Sequence, residues 1–156
     1  MNPTYQLRTK HKPELLYAMM RALAGEDSKI SFEGRLSNTD LVKVDGVEFE
    51  ETELLRRGTL QPQLDFLVLP LTPVSLPTIK KAIDSKIAFS RNAGIVHVQI
   101  EKHGEIAFAA YDRFHEDCVV AYPAVSEALL NELVERRVLY SFEQSATQSK
   151  GLNADR

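Results

Sequence analysis

Residues 95–112 read IVHVQIEK-HG-EIAFAAYD, two runs of eight residues on either side of a His103-Gly104 turn. Apolar and polar residues alternate along the first run, the period of a strand with one face buried. A two-residue connection ending in Gly joins antiparallel neighbours. With Lys102 opposite Glu105, Val96, Val98 and Ile100 face Tyr111, Ala109 and Ala107 on one side. His97, Gln99 and Glu101 then face Ala110, Phe108 and Ile106 on the other. This hairpin sets the expectation for the whole chain: an antiparallel sheet.

Working back toward the N-terminus, Ser75-Leu76-Pro77 opens a helix. Leu76, Ile79, Ile83 and Ile87 form its inward face, and Lys80, Lys81, Asp84 and Lys86 its wet one. Ser90–Gly94 is the loop that follows. Asp65–Leu71 is an apolar run suited to a strand buried on both faces, ended by Pro70 or lying at a sheet edge. Before it, Leu41–Val44 and Val47–Phe49 flank Asp45-Gly46 and read as a second, tight hairpin. Glu50–Arg57 reads as a short helix stopped by Gly58. The first 33 residues form a β-α-β unit. Thr4–Arg8 is a strand; Pro13 starts a helix with Leu16, Met19, Met20 and Leu23 on one stripe; Lys29–Glu33 is the next strand. Gly25 is placed to end that helix in the left-handed conformation.

Toward the C-terminus, Cys118–Tyr122 is a short apolar strand. Pro123 opens a helix to Arg137 with Val125, Leu129 and Leu133 inward, and Val138–Phe142 is a last strand. Gln144–Arg156 is almost free of apolar residues and reads as a disordered tail. Hairpins outnumber crossovers and no linker divides the chain. The expected fold is therefore a single α+β domain over residues 1–143, a mainly antiparallel sheet with about three helices packed on one side, followed by a tail over 144–156.

Composition agrees with one globular domain. The chain has 156 residues, 44% hydrophobic and 26% charged, with a net charge of −3. A single cysteine, Cys118, excludes a disulfide framework and a Cys-rich zinc module, and makes the cytoplasm the simplest home. The longest apolar runs, Leu15–Met20 and Ile106–Tyr111, are six residues each, far too short to span a membrane. Arg8, Lys10 and Lys12 before an apolar stretch superficially resemble a secretory signal, but Glu14 and Arg21 interrupt it. An amphipathic first helix accounts for these residues better.

No P-loop, dinucleotide fingerprint, HExxH or G-x-S-x-G motif is present. Gly25 and Gly34 stand alone and read as helix-end and turn glycines. Of the four histidines, His11 precedes a helix and His103 occupies a turn. His115-Glu116-Asp117-Cys118 gathers an imidazole, two carboxylates and a thiol. With His97 they offer a zinc site or a cysteine nucleophile with a histidine base. The plainer account is a polar loop leading into a strand that opens on a buried cysteine, and no metal or cofactor is expected. His97, Gln99 and Glu101, at period two, either line a small-molecule cleft or form the wet face of the sheet. Because the residues facing them are apolar, something should cover that face, a helix of the same chain or a partner.

Charge is patterned. Asp40–Glu53 holds six acids (Asp40, Asp45, Glu48, Glu50, Glu51, Glu53) against Lys43, so fourteen residues carry −5 and the remainder +2. Met1–Ala24 carries +3. The acids do not follow EF-hand spacing. They are either a solvated hairpin or a docking surface for a basic partner. The leading functional expectation is a non-catalytic protein-binding module of the bacterial cytoplasm, sharpest as an acidic inhibitor or immunity protein. Asp45, Glu48, Glu50, Glu51 and Glu53 would meet a basic protein, with no nucleic-acid or membrane partner. The alternative is a small enzyme or ligand-binding α+β domain using His97, Gln99, Glu101, His115 and Cys118.

Overall fold

The computed structural model describes residues 3–84 and 94–145. Among these residues seven strands form one sheet: β1 (Tyr5–Thr9), β2 (Ser28–Arg35), β3 (Asp65–Pro70), β4 (Gly94–Lys102), β5 (Glu105–Ala110), β6 (Val119–Ala121) and β7 (Leu139–Gln144). The order across the sheet is β3-β2-β4-β5-β6-β1-β7, and every neighbouring pair is antiparallel. Three helices, α1 (Lys12–Leu23), α2 (Leu76–Ile83) and α3 (Glu127–Glu135), pack on one face. The fold is the expected α+β. None of these helices is long and apolar enough to cross a membrane.

The helix-side core follows from the alternation. Ile30, Phe32, Leu67, Leu69, Val98 and Ile100 point to that face and meet Leu16, Met19, Met20, Ile79, Ile83, Leu130 and Leu133. α1 is closed at its end by the Ala24 N–H donating to Met20 O, with Ala24 extended. Gly25 does not take the left-handed conformation expected of it; its N–H donates to Leu71 O instead. β1 and β2 run parallel but lie four places apart, so α1 crosses three strands to link them.

Three pairings carry a bulge: β1–β7, where Tyr140 is the extra residue, β2–β4, and β4–β5, where it changes the expected register. Lys102↔Glu105 and Glu101↔Ile106 pair as expected, but Ile100 then pairs with Phe108 and Val98 with Ala110. Ala107 is the extra residue; its carbonyl turns to accept the Tyr122 N–H. The slip sends Phe108, rather than the small Ala107 alone, into the helix-side core, where an aromatic ring buries more area. Between β2 and β4 the extra residue is Val96, whose carbonyl accepts the Arg113 N–H. Gly34 lies at that bulge, inside a strand and not in a turn.

The Asp45-Gly46 hairpin does not form. A type I′ turn needs positive φ at both central residues; Gly46 has it (φ 86°), Asp45 does not. Asp40–Lys43 is instead a 3-10 turn, capped by Thr39, that drops Leu41 and Val44 into the core. Glu48 makes only an isolated bridge to Val68. Glu50–Arg57 is not a helix, because side chains take its N–H groups. Thr52 Oγ1 accepts from Leu54 and Leu55, and Glu51 Oε2 from Arg57.

α3 begins at Ser126, whose hydroxyl accepts the Leu129 N–H, and not at Pro123. β7 extends through Gln144, which pairs with Tyr5, so the domain reaches past residue 143. The expected tail from 146 onward, the Ser90–Gly94 loop up to residue 93, and Lys86 and Ile87 lie outside the described residues. α3 ends in a Schellman motif: Val138 N–H donates to Leu133 O and Arg137 N–H to Val134 O. Arg137 is left-handed there (φ 64°). Glycine adopts this conformation without the Cβ penalty, so Arg137→Gly is expected to stabilise the fold by ~1 kcal/mol. Thermal unfolding checks it; an unchanged or lower melting temperature would show that the arginine side chain offsets the strain.

Candidate functional site

The sheet face away from the helices carries Ser31, Glu33, His97 and Gln99, all buried. This polar strip is neither wet nor an open cleft. It is covered by the segment from Glu51 to Thr59, which answers the question of what shields it: the same chain, but as an irregular strap. Gln99 Oε1 accepts the Arg56 N–H at 3.1 Å and the Ser31 hydroxyl at 3.4 Å, while its Nε2 donates to the Tyr111 hydroxyl at 2.8 Å. Glu33, only 2% exposed, accepts the Gly58 N–H at 2.6 Å and the Thr59 N–H at 3.1 Å, one on each carboxylate oxygen. Leu55 from the strap plugs into Phe66 and Val68, with Ile106 beside them. The apolar neighbours of the strip thus meet an apolar strap residue, and its polar members meet strap N–H groups.

His97 joins the strap to a second loop. Its Nδ1 accepts the Asp112 N–H at 3.1 Å, so the ring proton sits on Nε2 and is donated to Thr59 Oγ1 at 2.8 Å. Its edge faces Tyr111, with centroids 5.4 Å apart. Asp112, Arg113 and Phe114 are all left-handed (φ 51°, 59° and 61°), a tight left-handed turn in which His115 N–H donates to Tyr111 O and Asp112 O. His115 points out; its Nδ1 accepts the Asp117 N–H at 3.1 Å. Cys118 Sγ lies 3.7 Å from Asp112 Oδ2. His97 and Cys118 therefore touch the same residue, one at its backbone and one at its carboxylate. His115 stands apart on the exposed side. Glu101 lies on the same sheet face two residues further along, opposite Lys29 and beside a cleft lined also by Glu26, Asp27, His103 and Gly104. Among the described residues no three His, Cys, Asp or Glu side chains are grouped to hold a metal ion.

The thiol environment opposes nucleophilic use. Burial pushes the Cys118 pKa up, and the carboxylates of Asp112 and Asp117 push it further. A thiol reagent at neutral pH is expected to modify Cys118 several-fold more slowly in the native protein than in the unfolded chain. Asp112→Asn should speed the native reaction. Native modification faster than that of the unfolded chain would restore the nucleophile reading.

The acidic segment presents a different surface. Asp45, Glu48, Glu50, Glu51 and Glu53 are all exposed. Glu51 is committed locally: its carboxylate accepts the Arg57 N–H at 2.7 Å and lies 3.4 Å from Arg56 Nε. The Arg57 N–H and the Arg56 charge hold its carboxyl below the usual range. Phe49, expected to point inward opposite Glu48 and Glu50, is 54% exposed. It walls a cleft of about 400 Å³ with Val42, Leu64, Phe66 and Arg57, whose guanidinium lies over the Phe66 ring at 5.2 Å. Sequence reasoning missed Phe49, because alternation assigns it to the core when no strand is there to impose the period.

No protein family, curated protein or solved structure matches the chain.

Proposed function

We propose that this chain is a non-catalytic protein-binding module of the bacterial cytoplasm that docks a basic protein partner through its acidic segment. An inhibitor or immunity protein is the sharpest form of that reading. The observation that carries it is Phe49: a large aromatic side chain, half out in solvent, at the mouth of a cleft and flanked in sequence by exposed Glu48 and Glu50. Interfaces draw most of their energy from a few aromatic or arginine anchors, with charged rims that set encounter rate and partner choice. Here the anchor is Phe49. The rim is Asp45, Glu48, Glu50 and Glu53; Glu51 serves mainly to shape the strap.

The enzyme alternative is supported less. Its principal polar residues, His97 and Gln99, are occupied by the strap and by the 111–118 loop.

The test uses lysine- and arginine-rich peptides that carry one aromatic or leucine residue as probes, followed by fluorescence anisotropy. Wild type should bind at low salt and lose affinity as salt rises. Phe49→Ala should cost about 2 kcal/mol, the scale of an interface anchor. Glu48→Lys with Glu50→Lys should slow association at low salt, and raised salt should shrink that difference. Equal binding by wild type and both variants would remove the acidic segment from consideration.

A further inference from the structure

We propose that two copies of this chain associate edge to edge through β7, forming one continuous antiparallel sheet. The two edges of the sheet are finished differently. At β3, Glu48 takes both backbone groups of Val68, Pro70 supplies no N–H, and the Ser75 hydroxyl donates to Pro70 O. That edge is blocked in the ways proteins use to prevent edge pairing. Among the described residues β7 pairs with β1 alone, and past a bulge at Tyr140 its regular stretch is Ser141–Gln144. Ser145 N–H donates to Thr4 O, so by antiparallel alternation Ser141 and Glu143 turn their backbone groups toward β1, and Phe142 and Gln144 turn theirs outward. No proline or lysine stands on β7.

The occupant is a second β7 because this edge is complementary to itself. Antiparallel pairing centred on Phe142 places Phe142 opposite its own copy and Ser141 opposite the copy's Glu143, and the bulge at Tyr140 ends the regular pairing there. Phe142 is only half-buried, edge-on to Tyr5 at 5.3 Å, and the pairing extends its row with a second ring on the helix side. On the other side, Arg8 pairs with Ser141 and Gln6 with Glu143. Each Arg8, whose guanidinium lies 3.7 Å from Glu116 of its own chain, then also faces the copy's Glu143 across the small Ser141. Arg8 and Lys10 also lie over the Tyr140 ring, at 5.7 and 5.6 Å, and make that end of the strand basic. Glu143 makes the other end acidic, and the two-fold brings unlike ends together. The acidic segment and Phe49 belong to the β3 side, so such a dimer carries its two docking surfaces at opposite ends.

Sedimentation of the full chain over a range of concentrations reads the result directly. Wild type should shift from monomer to dimer as concentration rises, and hydrogen exchange at the Phe142 and Gln144 amides should slow in step. Glu143→Arg alone and Arg8→Glu alone should each move the transition to at least tenfold higher concentration, with unchanged circular dichroism because both side chains are exposed. The double variant, Arg8→Glu with Glu143→Arg, should restore it. A wild type that stays monomeric at its highest soluble concentration overturns the proposal. So does a dimer that both single variants leave untouched.

Discussion

Gly34→Ala is expected to destabilise the fold by about 3 kcal/mol or more, among the largest effects a single methyl can have here. A Cβ at this position would fall within contact distance of the Gly94 carbonyl oxygen and 2.9 Å from Val96 N. Both are backbone atoms of β4, the central neighbour of β2, so no rotamer change can make room. Relief requires β2 and β4 to separate beside the bulge at Val96, where Gly34 pairs with Ile95 and Arg35 with Gly94. That bulge also aims the Val96 carbonyl at the Arg113 N–H and so anchors the left-handed turn. Urea unfolding followed by circular dichroism should show a midpoint lower by roughly 1–2 M. Gly104→Ala is the control: a Cβ there meets nothing within 4 Å, and its cost should be limited to the strain of a left-handed residue (φ 77°). Equal losses at the two sites would mean that the close approach of β2 and β4 is not what Gly34 provides.

The difference between those glycines marks how much of the fold the sequence discloses. Gly104 sits in a turn between two runs whose pattern is local, and the hairpin is readable from neighbours. The helical stripes of α1, α2 and α3 are readable for the same reason: a period of 3.6 needs only the segment itself. Gly34 carries no local mark of the strand it must touch, and reads as a turn residue. The bulges at Val96 and Ala107 are equally silent, because the extra residue is accommodated by a carbonyl finding Arg113 in one case and Tyr122 in the other. Both donors lie in other parts of the chain.

The candidate site was legible in composition and hidden in geometry. The concentration of acids is plain in the sequence, and the five carboxylates are exposed. The alternation that placed Phe49 inside assumed a hairpin, and Asp45 does not adopt the backbone that hairpin needs. His97, Gln99 and Glu101 form a row on one strand face, as the alternation predicts, and the strap bonds to His97 and Gln99. Their partners are Thr59, Arg56, Tyr111 and Asp112, and such pairings between side chains and distant backbone leave no periodic trace. Ser31 and Glu33 alternate with Ile30 and Phe32 as the polar half of a strand would, yet Glu33 is a buried anchor.

Glu33→Ala is expected to free the strap, at a cost of about 3 kcal/mol. Both carboxylate oxygens accept strap N–H groups, at 2.6 Å from Gly58 and 3.1 Å from Thr59, in a site where the side chain is 2% exposed. Hydrogen bonds to a charged acceptor are worth about 1.5–3 kcal/mol each, and their loss also leaves two donors short of a partner. Glu33→Gln should lie between, near half the loss, because one amide oxygen still accepts while the amide nitrogen meets the other N–H. Opening of the strap is read by trypsin, since Arg56 and Arg57 lie within it. Under conditions where cleavage follows the open population, ~3 kcal/mol corresponds to roughly a hundredfold faster cutting in Glu33→Ala. The effect should reach function. The strap leads directly from Phe49 and Glu50, so an unfastened strap loosens the anchor and its rim. The basic peptide probes should then bind Glu33→Ala less tightly than wild type, although no charge on the exposed surface has changed. Trypsin resistance equal to wild type would show that Gln99, His97 and Leu55 hold the strap without Glu33. Faster cutting with unaltered peptide binding would separate the strap from the docking surface.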